Sequence, residues 1–401
     1  MKKQQLKAAL SAAVLGVLSP LAMVLPASAA TVTWTGAGDG GFNSGFNWLS
    51  GGILVNGDTA VFPASANYQL PDNDMAGLSL VKIIFNGEVT GSSSKSYSIT
   101  GNSLTITSGI DAIMTGSGGD HSVGVGVTLG ADATFKTTGS NTLSVGGDGT
   151  VLDLGANDLT LDAQGGTISL LGKIKGSGNI VKSGDGKVKV LTTPDSGGYT
   201  GGLTAPSGEI VVDDDLGLNV TLSGGTLKGT GTVGNISMSS GTVAPGNSPG
   251  VLNTGNLVYT GGSFDVELGG TASGEYDQTN VTGTVDLGSA TALNISLFGS
   301  YAPAVNDAFT IINNDGSDAV AGAFTGLANG DNVTVGEYTY QINYDAGDGN
   351  DVVLLVLGTP SAPYTGVESL LSSPYATIFA AIAVAAIVAG YRVYDYRKAS
   401  K

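Results

Sequence analysis

From Thr31 to Gly358 the chain alternates apolar and polar positions in short runs such as SYSIT, SLTIT, DLTLD, TISLL, EIVVD and ALNISL, each followed by a turn containing Gly, Asn or Asp. A period of two sends successive side chains to opposite faces of a strand, so every run has one face to bury. Short strands recurring about every ten residues suit either a β-sandwich or a β-solenoid. The brevity of the strands and the density of glycine-rich turns favour a coil of stacked rungs over the longer crossings of a sandwich. Beyond Gly262 the strands lengthen and Tyr and Phe become more frequent, which predicts a hairpin-rich part that hides the open edge of the coil. The pattern therefore predicts an all-β body, a right-handed parallel β-helix or β-solenoid over residues 30–261 with a C-terminal β-rich part over 262–358. Rungs of roughly 20 to 25 residues at ~4.8 Å spacing would make a rod on the order of 60 to 75 Å long.

Both ends break this pattern. Lys2, Lys3 and Lys7 precede an apolar stretch that closes on Ala27-Ser28-Ala29, a small-x-small site. That order predicts a signal peptide over 1–29, cut between Ala29 and Ala30, and an exported chain. At the other end Tyr375 to Tyr391 carries no charge, and at ~1.5 Å per residue this run is just long enough to cross a bilayer as a helix. Arg392, Arg397, Lys398 and Lys401 follow in a basic tail over 392–401, which by the positive-inside bias stays in the cytoplasm and leaves the body outside. Residues 359–374 join the body to this single C-terminal transmembrane helix.

Composition sharpens the picture. Gly occupies 65 of 401 positions without the period of three that collagen needs, charged residues make up 12% and hydrophobic residues 41%, so the body is expected to fold. The formal charge of -17 becomes -20 once the three signal-peptide lysines are removed, which argues against nucleic acid or an anionic lipid surface as a partner. There is no cysteine, so backbone ladders and packing alone must hold an exported chain together.

Candidate chemistry is sparse. His121 is the only histidine and its setting, GGDHSVG, reads as an exposed loop; without cysteine, this leaves no Ser/His or Cys/His nucleophile and no Cys/His zinc site. Paired acids remain, as in glycan-cleaving β-helices, and in Asp213-Asp214-Asp215 only Asp213 and Asp215 share a strand face. The reading preferred is a solvated corner. Asp345, Asp348 and Asp351 in YDAGDGNDVVLL are a candidate calcium loop, but calcium-binding β-rolls need stacked copies and here there is one, so an ordinary turn is preferred. Trp34, Phe42, Phe46 and Trp48 suit an N-terminal cap better than a sugar-stacking surface. Lys182 is expected to cover an apolar edge with its stem. No catalytic group, metal or cofactor is expected.

One phrase carries a family likeness. Between Leu170 and Asp214 the chain places Ile174, Gly176, Gly178, Ile180, Lys182, Gly184, Gly186, Val188 and Val190, then Tyr199-Thr200-Gly201 and Gly208, in a pattern that resembles the autotransporter-associated β-strand repeat of exported bacterial adhesins. The rungs in LSGGTLKGTGTVGNISMSSGTVAPGNSPGVLNTGNLVYTGGSFDVELGG and the opening TWTGAGDGGFNSGFNWLSGG are similar to segments of the same proteins. The likeness implies a passenger-type surface protein that is structural or adhesive and whose target is another cell surface or a glycan. A passenger of that type is followed by a membrane barrel of alternating strands, and after Gly358 no such alternation appears, so export by the general secretory route is expected. Ala362-Pro363-Tyr364-Thr365-Gly366 resembles the LPxTG signal of sortases, with Pro363, Thr365 and Gly366 matching and Ala362 where Leu is usual. This implies a sortase-like transpeptidase cutting between Thr365 and Gly366, and the cell envelope as the partner that receives the body. Two other function classes stay open, a surface glycan-active enzyme and a self-assembling envelope or sheath protein.

Overall fold

Three short strands make one turn of the chain, and each finds its partners one turn away. In the computed structural model, which describes residues 29–358 apart from 50, 65, 67–69, 89–95, 116–118 and 192–197, the strands His121–Val123, Val127–Leu129 and Ala133–Thr138 pair in parallel with Thr142–Val145, Val151–Asp153 and Leu159–Gln164. Those pair in turn with Thr167–Leu170, Lys173–Lys175 and Ile180–Ser183. The body is thus a parallel β-solenoid of about ten turns with three faces. At ~4.8 Å per turn the coil is on the order of 50 Å long, shorter than the expected rod. Part of the difference is turn length. Ile83, Ile110, Phe135 and Leu161 stack in one column and lie farther apart in sequence than expected, whereas Leu222, Met238 and Tyr259 lie closer together.

Alternation decides what fills the coil. Along Leu159–Gln164 the residues Leu159, Leu161 and Ala163 are buried while Thr160 and Asp162 are not, and the same rhythm recurs in Ala133–Thr138. Stacked aliphatic columns result, each side chain resting on its counterpart one turn away. Where the chain turns a corner, glycine is required by close approach: a Cβ at Gly178 would collide with the carbonyl of Asn157, and Gly184 combines a φ of 74° with a carbonyl from Ala163 at the same spot.

Another corner is stitched by carboxylate and amide side chains. The N–H of Asp158 donates to Asp132 Oδ1 (2.9 Å), that of Asn179 to Asp158 Oδ1 (2.7 Å), and that of Gly202 to Asn179 Oδ1 (3.3 Å). Farther along, Asn235 donates to Asn219 Oδ1 (2.8 Å), Asn256 to Asn235 Oδ1 (2.7 Å) and Thr284 to Asn256 Oδ1 (2.9 Å). A corner interrupts the backbone ladder and leaves an N–H to be satisfied; these side chains supply the acceptor.

The first end of the coil is sealed, and the second is covered in part by a small sheet. At the first, Trp34, Phe42 and Trp48 pack edge to face with ring centroids 5.0 to 6.0 Å apart over Phe62, and Trp48 Nε1 donates to the carbonyl of Phe42 at 2.9 Å. At the second, Ala308–Asn314 pairs in parallel with Gln278–Val281 and antiparallel with Asp351–Gly358, which continues into Tyr338–Ala346 and Asn332–Val335. Apart from the short antiparallel bridge of Leu268 with Tyr276, the hairpins begin well after 262. The coil itself runs on, since Leu257–Tyr259 pairs in parallel with Val285–Asp286 and Gly262–Leu268 with Thr291–Leu297. The longer strands that suggested a boundary at 261 keep Phe264, Val266 and Leu268 in the buried column.

Residues 1–28, with most of the signal-peptide segment, and residues 359–401, with the sorting-like motif at Pro363, Thr365 and Gly366, the transmembrane run and the basic tail, lie outside the described residues. Among the described residues no helix is long and apolar enough to cross a membrane.

Candidate functional site

On the outer surface of one face, consecutive turns bring charged side chains into a row. Lys187 lies in register with Glu209, Glu209 with Thr226, and Val211 with Lys228; farther along the coil Asp265 pairs with Asn294 and Glu267 with Ser296. The loop Ala244 to Gly250 passes beside this surface and turns it into a groove of about 550 Å³, lined by Lys187, Glu209, Lys228, Asp265, Glu267 and Asp277 together with Thr, Ser and Asn side chains.

The charges divide into two groups. Lys187 Nζ lies 2.6 Å from Glu209 Oε1 and Lys228 Nζ 3.5 Å from Oε2. Burial alone would raise the Glu209 carboxyl, but the hydrogen bond from Lys187 and the charge of Lys228 outweigh it and hold the group below the usual glutamate value. Asp265 and Glu267 are in no ion pair among the described residues; Asp265 Oδ1 accepts the Asn294 amide at 2.8 Å and Glu267 accepts the Ser248 hydroxyl. Ser248 holds a φ of 87°, unusual for a residue with a side chain. Asp277 is 2% exposed and joins the loop to the strand: Oδ1 accepts Gly250 N–H and Oδ2 accepts Glu267 N–H, both at 2.8 Å. Burial pushes its carboxyl up to about 7 against the pull of those two N–H groups. With each oxygen committed to backbone, Asp277 serves as a clamp rather than as a proton donor to the groove.

The arrangement is polar, negative toward Asp265 and Glu267, and free of aromatic rings along its lining. It suits hydrogen bonds and cationic groups and offers no ring for a sugar to stack on. Among the described residues no three His, Cys, Asp or Glu side chains gather as metal ligands.

The residues singled out in the sequence fall elsewhere. Asp213 Oδ1 accepts Asn247 Nδ2 at 2.6 Å and Thr230 N–H at 3.3 Å, so it anchors the loop at the rim of the groove, whereas Asp215 is exposed and bridges Thr232 through its backbone. Asp351 accepts Asn314 N–H at 3.0 Å and Asp345 accepts the Asn329 amide at 2.7 Å; with Asp348 they form no metal cluster. Trp34, Phe42 and Trp48 are buried in the cap, and Phe46 is 83% exposed and takes no part in it. Ala29 and Ala30 are exposed, and the Ala30 N–H donates to Asp58 Oδ1 at 2.9 Å.

Two expectations are overturned. His121 is not a loop residue: it is 2% exposed, opens a strand in register with Leu143, and its Nδ1 accepts the N–H of Tyr97 at 3.2 Å. Gly124 closes this short strand, and His121 points into the coil. Lys182 does not cover an edge. It stands fully buried in register with Leu161, and its Nζ donates to the carbonyls of Ser183 (2.8 Å), Gly184 (2.7 Å) and Ser207 (3.4 Å). Burial lowers its pKa, opposed by the charges of Asp162 and Asp185.

Sequence reasoning missed Glu209, Asp265, Glu267 and Asp277. The outward alternation in SFDVELGG marks two of them as surface residues, but their meeting with Asn294 and Ser296 depends on turn lengths that no period announces. Compared with known proteins, the chain matches no family model, no curated protein and no solved structure.

Proposed function

We propose that the chain is an exported, acidic β-solenoid displayed on a cell surface, with a structural or adhesive role and no catalytic activity. The observation that carries this reading is the fate of the acids in the groove. Glu209 is held by two lysines, Asp265 by Asn294, Glu267 by Ser248 and Asp277 by two backbone N–H groups. Glycosidase chemistry needs one carboxyl free to give a proton and another free to act as base or nucleophile; here the side chains bind the coil together.

Export rests on the basic and apolar order of the first residues and on the small-x-small site ending at Ala29. Retention rests on the C-terminal order of motif, apolar run and basic tail. In this reading Tyr375 to Tyr391 waits in the membrane while Thr365-Gly366 is exchanged for a covalent link to the envelope by a sortase-like transpeptidase, as the likeness of Pro363, Thr365 and Gly366 to the LPxTG signal implies. The likeness of the repeats to the autotransporter-associated family supports an adhesive partner on another cell. The hand of the coil is taken as right, as expected for parallel strands joined by crossovers.

The test is fractionation of the producing cells with mass spectrometry of the mature termini. A chain that starts at Ala30, resides in the envelope fraction and ends at Thr365 supports the whole reading. A body that remains in the cytoplasm with Met1 intact refutes export.

A further inference from the structure

The last parallel strand of the face that bears the groove has one partner. Thr291–Leu297 pairs with Gly262–Leu268, and among the described residues no strand lies along its other edge. Thr325 N–H reaches the carbonyl of Thr291 at 2.8 Å, so only the first residue of that edge is covered. From Ala292 to Leu297 the edge contains no charge, proline or bulge, the devices that usually blunt an open strand.

Its two faces tell what would complete it. On the inner face Leu293, Ile295 and Leu297 are half-buried, although their neighbours one turn back, Phe264, Val266 and Leu268, are at most 1% exposed. The apolar column therefore ends one strand short of closure. On the outer face Ala292, Asn294 and Ser296 are exposed, and next to them stand Asp265 and Glu267, two groove acids in no ion pair among the described residues.

We propose that this edge accepts an extended peptide segment of a partner protein in which apolar and basic residues alternate. Added as one more strand, such a segment would lay its apolar side chains over Leu293, Ile295 and Leu297. Its lysine or arginine side chains would reach across Asn294 and Ser296 toward Asp265 and Glu267. Backbone hydrogen bonds supply affinity and the two acids select the sequence. A second copy of the same edge is disfavoured, because it would bring like acids together in a chain of formal charge -17. The inference deepens the adhesive reading by naming the chemistry of its partner, and it rests on that reading only for its biological setting, since peptide binding is measured without reference to export or anchoring.

The experiment uses the full chain and three fluorescent peptides of about nine residues, long enough to span the edge: alternating Lys and Val, alternating Glu and Val, and the Lys/Val composition in two blocks. The Lys/Val peptide is expected to bind roughly tenfold or more tighter than the other two, more weakly as salt rises, and to slow hydrogen exchange at Leu293, Ile295 and Leu297, whose N–H groups face the open edge. The isosteric pair Asp265→Asn and Glu267→Gln, which leaves the edge backbone intact, is expected to lower its affinity by roughly tenfold. Equal binding of the Glu/Val peptide, unchanged exchange at these three residues, or an unaffected double variant overturns the proposal. So does slow exchange at Leu293, Ile295 and Leu297, whose N–H groups point away from Gly262–Leu268, in the full chain without peptide, which would mean that the chain's own segment or a second copy already covers the edge.

Discussion

The imidazole of His121 lies parallel to the ring of Phe85, with centroids 4.7 Å apart and planes within 3°, while its Nδ1 accepts the N–H of Tyr97. An acceptor nitrogen is a deprotonated one, so the coil is built around a neutral histidine. Burial pulls its pKa from 6.5 down to about 4, with the charge of Asp120 opposing. Between those values the unfolded chain binds more protons than the folded one. The stability from this site is thus complete above pH 6.5 and is lost as pH falls toward 4, by up to about 3 kcal/mol. Asp277 acts in the opposite direction: its folded value of about 7 lies above 3.8, so its contribution is complete below pH 3.8 and declines as pH rises toward 7. Replacing His121→Phe keeps a ring over Phe85 and should remove the histidine's share of the acid-side loss, leaving the smaller part due to carboxylates held below their usual values, such as Glu209. Urea midpoints measured from pH 4 to 7 check this, and an unchanged acid-side loss in the variant would contradict it.

Lys182 makes a second prediction. Lys182→Met preserves the volume in the column but removes the donor from the carbonyls of Ser183, Gly184 and Ser207, and should destabilise the body by about 1 to 3 kcal/mol. Lys182→Ala leaves a void as well and should cost more. Denaturant unfolding of the two variants gives the ranking; a methionine variant more stable than the parent would show that the ammonium is a net burden.

The stitched corner makes a third. Asn235→Ala deletes the acceptor of the Asn256 N–H and should cost about 1 kcal/mol, with faster hydrogen exchange at Asn256 and little change at Asp158 or Asn179 several turns away. Exchange that accelerates uniformly along the coil would instead mean that the turns unfold as one unit.

A fourth concerns the tail. Replacing Thr365 and Gly366 by Ala should shift the protein from a form that resists hot detergent to one that detergent extracts, with Lys401 retained. If the resistant fraction is unchanged and the parent chain also keeps Lys401, the apolar run is a permanent anchor and the motif a linker.

Much of the coil is legible in the sequence because burial follows a period of two: Leu159, Leu161 and Ala163 are inward for the reason that they alternate with polar residues. The aromatic cap is legible for a similar reason, since Trp34, Phe42 and Trp48 cluster before the first full turn. His121 and Lys182 were misread because alternation assigns a face, whereas composition argued for the other one, and at these two positions the ladder prevailed. The groove was not legible at all. Asp265 meets Asn294, and Glu209 meets both Thr226 and Lys187, only through turn lengths that differ from one end of the coil to the other. A repeat with variable turns specifies its interior locally and its exterior only once it is wound.

The corner bonds from Asn219 to Asn235, Asn256 and Thr284 make each of these middle turns both the customer and the supplier of the same interaction. A turn removed whole would leave its two neighbours facing each other with matching fittings, and a turn duplicated would find fittings waiting on either side. The length of the coil is then a quantity that recombination within one gene can increase or decrease in steps, without redesigning either end.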